Sequence, residues 1–220
     1  MEWGKCGYYL AEIILPSMKE SMYILVFTMM IVGIGGFFLG VLLFVSKEQG
    51  LYPMKRVHRI LNISINILRS VPSIIFIICL MPLARIFLPS ALGKKAAIFY
   101  LSIMNFGFIA RIVNDKLETV DESLIEAAHS MGLSNKDILF KYIVNEAKPT
   151  LVRGYTFATV MMLGAIAIAG LVGAGGIGAV AMNYGYRAYN DTIMYLSIFV
   201  IFVVTVVIQI LGRFLSYKLE

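Results

Sequence analysis

The residues that most often carry catalysis or bind metals are few in this chain, and their spacing predicts neither role. His58 and His129 stand 71 positions apart, with no carboxylate or cysteine at the spacing of a metal ligand set. Cys6 and Cys79 are too few for a disulfide framework, and Cys79 lies inside an apolar run. No serine or cysteine combines with a histidine and an acid into a nucleophilic set. We therefore expect no catalytic residue, no metal and no cofactor.

A glycine-rich segment carries a pattern that binds dinucleotides in other contexts. Gly173, Gly175 and Gly178 have the G-x-G-x-x-G spacing, but that fingerprint requires a preceding strand and a later acidic residue. Here the segment follows a long apolar run, and the chain contains no G-x-x-x-x-G-K-[ST] phosphate-binding loop. We interpret the segment as an irregular turn at the end of a membrane span. Such a turn suits a close backbone approach or a re-entrant segment.

The composition indicates what kind of elements must hold these residues. Of the 220 residues, 60% are apolar and 15% are charged, whereas about a quarter of a soluble domain is charged. The net charge is +6 and the mean hydropathy is +0.84. This excludes an ordinary cytosolic enzyme, and it excludes a nucleic-acid-binding protein, whose positive charge must lie on one solvated face. The chain is predicted to be an integral membrane protein.

Long apolar runs predict an all-α membrane protein with five transmembrane helices in a single transmembrane domain, residues 1–220. About 20 apolar residues are needed to cross a ~30 Å hydrocarbon core as a helix. The first run is free of charge for 25 residues and is too long for a cleaved signal peptide. The predicted spans are approximately 22–46, 70–88, 96–113, 154–175 and 192–212.

Lysine and arginine are distributed unevenly between the two sets of loops. Twelve belong to the loop after the first span, the loop between the third and fourth spans, and the C-terminal end. Six belong to the opposite set, and Arg69 is left out because it lies at the edge of a span. Since positive residues concentrate in cytoplasmic loops, the count predicts an N-terminus outside the cell and a C-terminus in the cytoplasm.

Residues 55–68 are amphipathic rather than uniformly apolar, because basic residues lead into a stretch rich in isoleucine. The pattern predicts an interfacial helix that turns into the second span at residues 69–72. Pro72 would be tolerated in the first turn of that span. The side chain of Arg69 is expected to extend towards the lipid headgroups and to anchor the turn.

The only long polar stretch, residues 114–150, has the pattern of two short helices joined by a glycine. Ser123 and Glu126 have capping-box spacing and predict the start of the first helix. Gly132 is expected to end that helix, because the residue after a helix commonly has a positive φ. Ser134 then opens a second helix, which is expected to end at the next proline. The sequence alone leaves open whether this elbow is a docking element or a solvated connector.

The elbow resembles the E-A-A-x-x-x-G-x(n)-I-x-L-P signature of ABC-importer permeases. The matching residues are Glu126, Ala127, Ala128 and Gly132. In that family the loop forms the coupling helix that docks into a groove on the cytoplasmic ATPase. The resemblance therefore implies that these residues couple the permease to an ATPase. The chain departs from the signature at its end, where Tyr142 stands at the isoleucine position and Val144-Asn145 at the Leu-Pro position.

The resemblance extends over nearly the whole chain. Residues 69–72 match the R-S-[IV]-P motif that opens the second span in a subset of these permeases. The glycine-rich segment 170–178 and the tyrosine-rich segment 184–190 look like those of methionine-importer permeases in particular. Five spans with an external N-terminus is also the arrangement of that group.

The resemblance implies a transport subunit of the bacterial cytoplasmic membrane, not an enzyme. It would work as a homodimer in membrane lipid, with two ABC ATPase chains and an extracytoplasmic substrate-binding lipoprotein, and it would have no nucleic-acid partner. The resemblance also implies an amino acid as the cargo, with methionine as the expected one. The alternatives are a permease for another small solute, or a channel or scaffold outside the ABC class that binds a cytoplasmic partner.

Bulky and small apolar residues alternate along the fourth predicted span, which makes it a candidate for the translocation gate. Small residues allow two helices to approach closely, and bulky apolar residues can close a dry constriction. The resemblance implies a pathway along the two-fold axis of a dimer, with Ile168 as the gate residue. Met162 and Leu171 are the other predicted pathway residues. Lipid contact or packing within the chain is the alternative for all three.

Overall fold

The structure, a computed structural model, describes residues 3–219, and every regular element in that range is helical. A 3-10 turn, Trp3–Lys5, precedes helix α1, Cys6–Val45. The later helices are α2 (Lys55–Ser70), α3 (Ser73–Phe87), α4 (Lys94–Leu117), α5 (Glu122–Ser130), α6 (135–146), α7 (Lys148–Leu171), α8 (176–186) and α9 (Asp191–Tyr217). Both α6 and α8 contain a π-helical turn, Ile138–Ile143 and Ala181–Tyr186 respectively.

Helices α1, α4, α7 and α9 are each long and apolar enough to cross a membrane. Helix α3 has 15 residues and is about 22 Å long at ~1.5 Å per residue, which is shorter than a ~30 Å hydrocarbon core. Helix α3 is long and apolar enough to be a membrane span only when it is taken together with α2, and the two helices are bent by 106° relative to each other. The fold is therefore an all-helical membrane fold with four spans, or five when the bent pair counts as one.

The break between α2 and α3 occurs where the sequence predicts a turn. Pro72 caps α3 with φ −56° and ψ 134°, and it has no N–H with which to continue α2. The ring of a proline also disfavours the α conformation in the residue before it, so α2 ends at Ser70. The predicted change of direction at residues 69–72 is confirmed.

The helix bounds differ from the predicted spans: α1, α4 and α9 extend past their apolar runs, whereas α3 lies within 70–88 and α7 ends at Leu171, before the predicted end at 175. Helix α1 begins at Cys6, sixteen residues before the first apolar run, and contains Glu12, Lys19 and Glu20. A π-helical turn, Leu10–Ile14, precedes Pro16, whose missing N–H interrupts the α-helical hydrogen bonds at that point. An apolar run locates only the part of a helix that is suited to lipid. The helix itself can continue beyond that part through polar residues.

The chain divides into two compact units. Unit 1 comprises Met1–Ile31, Val71–Asn105 and Thr159–Gln209; unit 2 comprises Val32–Ser70, Phe106–Ala158 and Ile210–Glu220. In unit 2, Gly36 and Gly40 of α1 bring their backbone against α4: an added Cβ would stand 2.6 Å from Ile109 Cγ2 and 2.6 Å from the Ala110 carbonyl oxygen, respectively. This small-x-x-x-small pair therefore packs within one chain. In unit 1, the end of α7 packs backbone to backbone against α8.

Candidate functional site

Helix α5, the first half of the elbow, begins two residues earlier than the capping box predicts. It starts at Glu122, and the Asp121 carboxylate accepts a hydrogen bond of 2.9 Å from the Ser123 N–H. This bond lowers the pKa of Asp121. The prediction that Ser123 and Glu126 form a capping box is wrong. Because Asp121 satisfies the first turn, Glu126 lies in the second turn with its side chain exposed.

The turn of the elbow has the geometry that the glycine predicts. Gly132 has φ +75°, its N–H bonds the His129 carbonyl at 2.9 Å, and the Leu133 N–H bonds the Ala128 carbonyl at 3.3 Å. These two bonds form a Schellman motif, which satisfies carbonyl groups at the helix end. Apart from Gly132 itself and its two neighbours in the chain, no atom of the described residues lies within 4 Å of a Cβ added at Gly132. The turn thus requires a residue that tolerates positive φ, although the described chain leaves space for a side chain there.

Helix α6 begins as predicted, with Ser134 as its cap. The Ser134 hydroxyl accepts from the Asp137 N–H at 3.2 Å, and Lys141 Nζ lies 2.7 Å from Asp137 Oδ1. The Lys141 ammonium and the Ser134 hydroxyl together lower the pKa of Asp137, and Asp137 raises the pKa of Lys141. Both ends of the elbow turn are therefore fixed by local polar contacts.

The predicted end of the second helix at Pro149 is wrong. Helix α6 ends at Glu146, and after Ala147 the chain continues directly into α7, which begins at Lys148. Pro149 therefore lies in the first turn of α7, where the backbone N–H has no helical partner and its loss is tolerated.

The elbow is anchored to its own chain along one side. The side chains of Ala128, Ile138, Leu139 and Ile143 are buried. Asn135 Nδ2 donates to the Leu51 carbonyl at 2.7 Å. At the end of α4, the Glu118 carboxylate binds Lys47 and accepts from Asn114 Nδ2 at 2.7 Å. Burial raises the pKa of Glu118, but these hydrogen bonds outweigh it and lower the pKa. The sequence analysis missed this network, since its members are far apart in sequence.

The opposite side of the elbow is open and carries three of the four signature residues. Glu126, Ala127 and Gly132 are exposed, whereas Ala128 is buried at 1% exposure. Next to them, the side chain of Met131 is 65% exposed. The structure thus brings Glu126, Ala127 and Gly132 to one accessible surface, which we call the elbow surface, and uses Ala128 to fix the helix to the protein.

The glycine-rich segment forms a tight helical hairpin in unit 1. The backbone has φ +92° at Gly173, +82° at Gly175 and +76° at Gly176. A Cβ at Gly170 would stand 2.6 Å from the Ala179 nitrogen, and one at Gly178 would stand 2.2 Å from the Ala167 carbonyl oxygen. The turn between α7 and α8 therefore depends on glycine for both conformation and close approach, as the sequence indicates.

Polar side chains from α1 and α4 hold this hairpin at the start of α8. Glu20 Oε2 accepts from the Gly176 N–H at 3.2 Å, and Ser21 Oγ accepts from the Ile177 N–H at 3.0 Å. Lys94 Nζ lies 3.2 Å from Glu20 Oε1. Glu20 and Ser21 thus supply acceptors to a helix N-terminus, where N–H groups otherwise lack partners. The sequence analysis missed Glu20 and Ser21, because it placed the polar N-terminal residues outside the first span.

The predicted gate residues lie on two different faces of α7. Leu171 is 41% exposed and Ile168 is half-buried, on the face that also exposes Met161 and Gly164. Met162 is 1% exposed. At ~3.6 residues per turn, Met162 points away from Leu171. The structure thus brings Ile168 and Leu171 together on an accessible face and places Met162 in the packing of its own chain.

A cationic and aromatic cluster in unit 2 is a further group that the sequence did not reveal. The Arg69 guanidinium, at the last turn of α2, lies 6.0 Å from the centroid of the Phe108 ring. The Phe108 ring in turn lies 6.3 Å from the centroid of Phe157. Arg69 and Phe157 are exposed. A guanidinium beside phenyl rings can bind an anion that carries an apolar group.

The two histidines do not come together with other ligands. Among residues 3–219, no three histidine, cysteine or acidic side chains lie close enough to hold a metal ion. His58 Nδ1 donates to the Leu43 carbonyl at 3.0 Å, near the end of α1, so this side chain has a structural hydrogen bond.

Comparison with known proteins gives a family for most of the chain. Residues 36–220 match the family described as "Binding-protein-dependent transport system inner membrane component". The probable D-methionine transport system permease protein MetI of Pasteurella multocida is 33% identical over 209 residues, which cover 95% of this chain and 96% of that protein. The methionine import system permease protein MetP of Bacillus subtilis is 35% identical over 175 residues, 80% of this chain and 79% of that protein.

Solved structures give the same fold. A chain from inward-facing crystal forms of the MetNI methionine ABC transporter superposes with a TM-score of 0.91 at 29% identity, covering 94% of this chain and 96% of that one. A chain of an amino acid ABC transporter with histidines superposes with a TM-score of 0.74 at 18% identity, covering 93% and 94%. The second likeness concerns the fold alone.

Proposed function

Since the chain belongs to the family of binding-protein-dependent transport system inner membrane components, we propose that it is the permease subunit of an ATP-driven methionine importer. The names of the similar permeases and of the superposed transporter support methionine as the cargo. In this proposal a separate ATPase hydrolyses ATP and a binding protein delivers the amino acid from outside. Two copies of the chain form the membrane pathway.

The elbow surface is the observation that carries the coupling part of the proposal. Two capped helices hold Glu126, Ala127 and Gly132 on an exposed surface, and their buried side anchors them to the protein. The exposed side chain of Met131 adds apolar area next to the glycine turn. A rigid, partly apolar protrusion on an otherwise polar segment fits the groove of a partner protein. We propose that the partner is the ATPase.

The orientation follows from the distribution of charge. The twelve lysine and arginine residues of the elbow side belong in the cytoplasm, which leaves the N-terminus outside. An elbow in the cytoplasm can reach an ATPase, whereas an external one cannot. Ile168 and Leu171, on the accessible face of α7, are proposed to line the pathway between two copies of the chain.

Reconstitution tests this function directly. The chain, its ATPase and its binding protein are purified, placed in lipid vesicles and supplied with ATP and radiolabelled methionine. We expect uptake that depends on ATP and on the binding protein. Normal ATPase activity without methionine uptake, but with uptake of another solute, would contradict the assigned cargo. Failure of the ATPase to copurify with the chain would contradict the coupling role.

Single cysteines test the orientation, in a chain whose Cys6 and Cys79 have been replaced. An impermeant thiol reagent added to intact cells should label a cysteine at Lys94 and leave one at Ser134 unlabelled. Both positions are on helix ends or caps that lie at the surface of the chain. Labelling of the Ser134 position from outside would reverse the orientation and would remove the elbow from the reach of a cytoplasmic ATPase.

A further inference from the structure

Arg69 occupies a position that an arginine in a membrane protein rarely has without a function. It lies over Phe108, which is nine residues before the end of α4 at Leu117, or about 14 Å along the helix axis. Phe108 is also five residues before the end of the predicted span 96–113, so the guanidinium lies beside the last turns of that span and not beyond its end. An arginine beside a membrane-crossing segment is unfavourable in lipid when it is unpaired, and it then marks a pathway or a binding site.

The surroundings of Arg69 within the chain do not neutralise it. No carboxylate in the described part of the chain lies within ion-pair distance of its guanidinium. Its position in the last turn of α2 gives it the partial negative charge of the helix C-terminus, which is weaker than a full counter-ion. The side chain is exposed, so its fork of N–H donors remains accessible to an external anion.

The neighbouring rings add an apolar wall to this cation. Phe108 lies under the guanidinium, and Phe157 lies 6.3 Å from Phe108, centroid to centroid, with 55% of its surface exposed. Phe157 is nine residues after the start of α7 at Lys148, which is again about 14 Å along the helix. One oriented charge beside apolar side chains is the usual composition of a small-molecule site.

We propose that Arg69, Phe108 and Phe157 form a substrate subsite for an amino acid in transit. The Arg69 guanidinium binds the α-carboxylate through charge-assisted hydrogen bonds, and the two phenyl rings contact the apolar side chain. Thioether sulfur packs favourably near aromatic ring edges, which suits methionine. The subsite rests on the proposed transport function, and it gives the permease a contact with the substrate in addition to the selection by the binding protein.

Equilibrium binding of radiolabelled methionine to the purified permease–ATPase complex, without the binding protein, tests the subsite. We expect Arg69→Gln to weaken binding by about tenfold or more, because a charged hydrogen-bond partner is lost. Arg69→Lys, which keeps the charge but not the fork, should recover part of the affinity. Phe157→Leu should weaken binding about two- to tenfold. Arg59→Gln, which removes another exposed cation of α2, is the matched control and should bind as the wild type does.

Competition on the wild-type complex tests the same contact without any variant. Methioninamide, which lacks the carboxylate, should compete at least about tenfold less well than methionine, because it cannot pair with a guanidinium. Equal competition, unchanged binding by Arg69→Gln, equal weakening by Arg59→Gln, or no methionine binding by the wild type would each overturn the subsite. Uptake by the wild-type complex with its binding protein separates the two proposals. Absent uptake overturns the transport function, whereas normal uptake with any of those four results overturns the subsite alone.

Discussion

Two turns in this molecule join helices through glycines with nearly the same positive φ and differ in what surrounds them. At the elbow, Gly132 has φ +75° and nothing of the described chain lies within 4 Å of an added Cβ. In the hairpin between α7 and α8, Gly176 has φ +76°, and a Cβ there would stand 2.5 Å from Ser21 Oγ. Other residues of the chain pack against the glycine of the hairpin turn, whereas the space beside the glycine of the elbow turn is unoccupied by the described residues.

The contrast indicates where a partner is needed. Glu20, Ser21 and Lys94 satisfy the polar groups around the hairpin. The hairpin can therefore be explained by packing alone. At the elbow, by contrast, the side chains of Glu126 and Met131 are exposed. Substitutions in the hairpin should lower the stability of the fold, and substitutions on the elbow surface should weaken the binding of a partner protein.

The largest effect is expected from Gly178→Ala in the hairpin. The new Cβ would lie 2.2 Å from the Ala167 carbonyl oxygen and 2.6 Å from the Ala167 Cα, so the two backbones must separate. We expect a loss of about 3 kcal/mol or more and a fall in Tm of roughly 6 °C or more in detergent. Gly164→Ala is the control, because nothing lies within 4 Å of its added Cβ. A normal Tm for Gly178→Ala would refute the close packing of α7 on α8.

Loss of the Glu126 charge should produce the next largest effect, on the partner rather than on the fold. If Glu126 pairs with a basic group on the ATPase, Glu126→Ala should weaken docking by about 2 kcal/mol or more, which is roughly 30-fold. Glu122→Ala, at the start of the same helix and also exposed, is the control. Copurification of the ATPase with each variant measures the effect. Equal retention of the ATPase by both variants would show that Glu126 is not an interface residue.

Gly132 allows backbone strain to be separated from contact with a partner. Gly132→Ala introduces a Cβ at positive φ and costs about 1 kcal/mol, whereas Gly132→Asn tolerates that conformation. We expect both variants to remain inserted with a nearly normal Tm, and both to bind the ATPase about tenfold or more weakly because the groove admits no side chain. Normal ATPase binding by Gly132→Asn would mean that only the shape of the turn matters.

The two faces of α7 make opposite predictions for the gate. Ile168→Ala, on the accessible face, should raise ATPase activity without substrate about twofold or more, or leak methionine, with little change in Tm. Met162→Ala, on the buried face, should instead destabilise the chain by about 2–5 kcal/mol. The ATPase activity, the methionine leak and the Tm are all measured with the reconstituted complex. Wild-type ATPase activity and no leak for Ile168→Ala would assign that residue to packing or lipid contact.

The smallest effect is a pH dependence of the elbow. The pKa values of Asp121 and Asp137 are lowered from the ordinary 3.8, so their charged forms stabilise the helix ends above that pH. This stabilisation is lost as the pH falls through the lowered values. Amide hydrogen exchange of the elbow, corrected for intrinsic rates, should be constant from neutral pH to about pH 4 and faster below it. Faster exchange already at pH 6 would require another titrating group.

Local sequence signals predicted much of the fold. Apolar runs located the long helices, Pro72 located the break before α3, and Gly132 and Ser134 located the elbow turn. Each depends on near neighbours: a proline lacks one N–H, a glycine tolerates positive φ, and a serine caps the next helix. The errors were local as well. Asp121 rather than Ser123 caps α5, because two residues only two positions apart could both serve and only the backbone decides between them.

The sequence by itself determined that this is a helical membrane protein with an elbow of two helices joined at Gly132, since composition, hydropathy and the positions of Gly132 and Ser134 are properties of the chain as written. Only the tertiary structure decided which face of each helix is accessible. It separates Met162 from Ile168 and Leu171, buries Ala128 beneath an exposed Glu126, and brings Arg69 over Phe108. The physical reason is that neighbours on a helix are set by its 3.6-residue period, whereas contacts between helices depend on how distant segments pack.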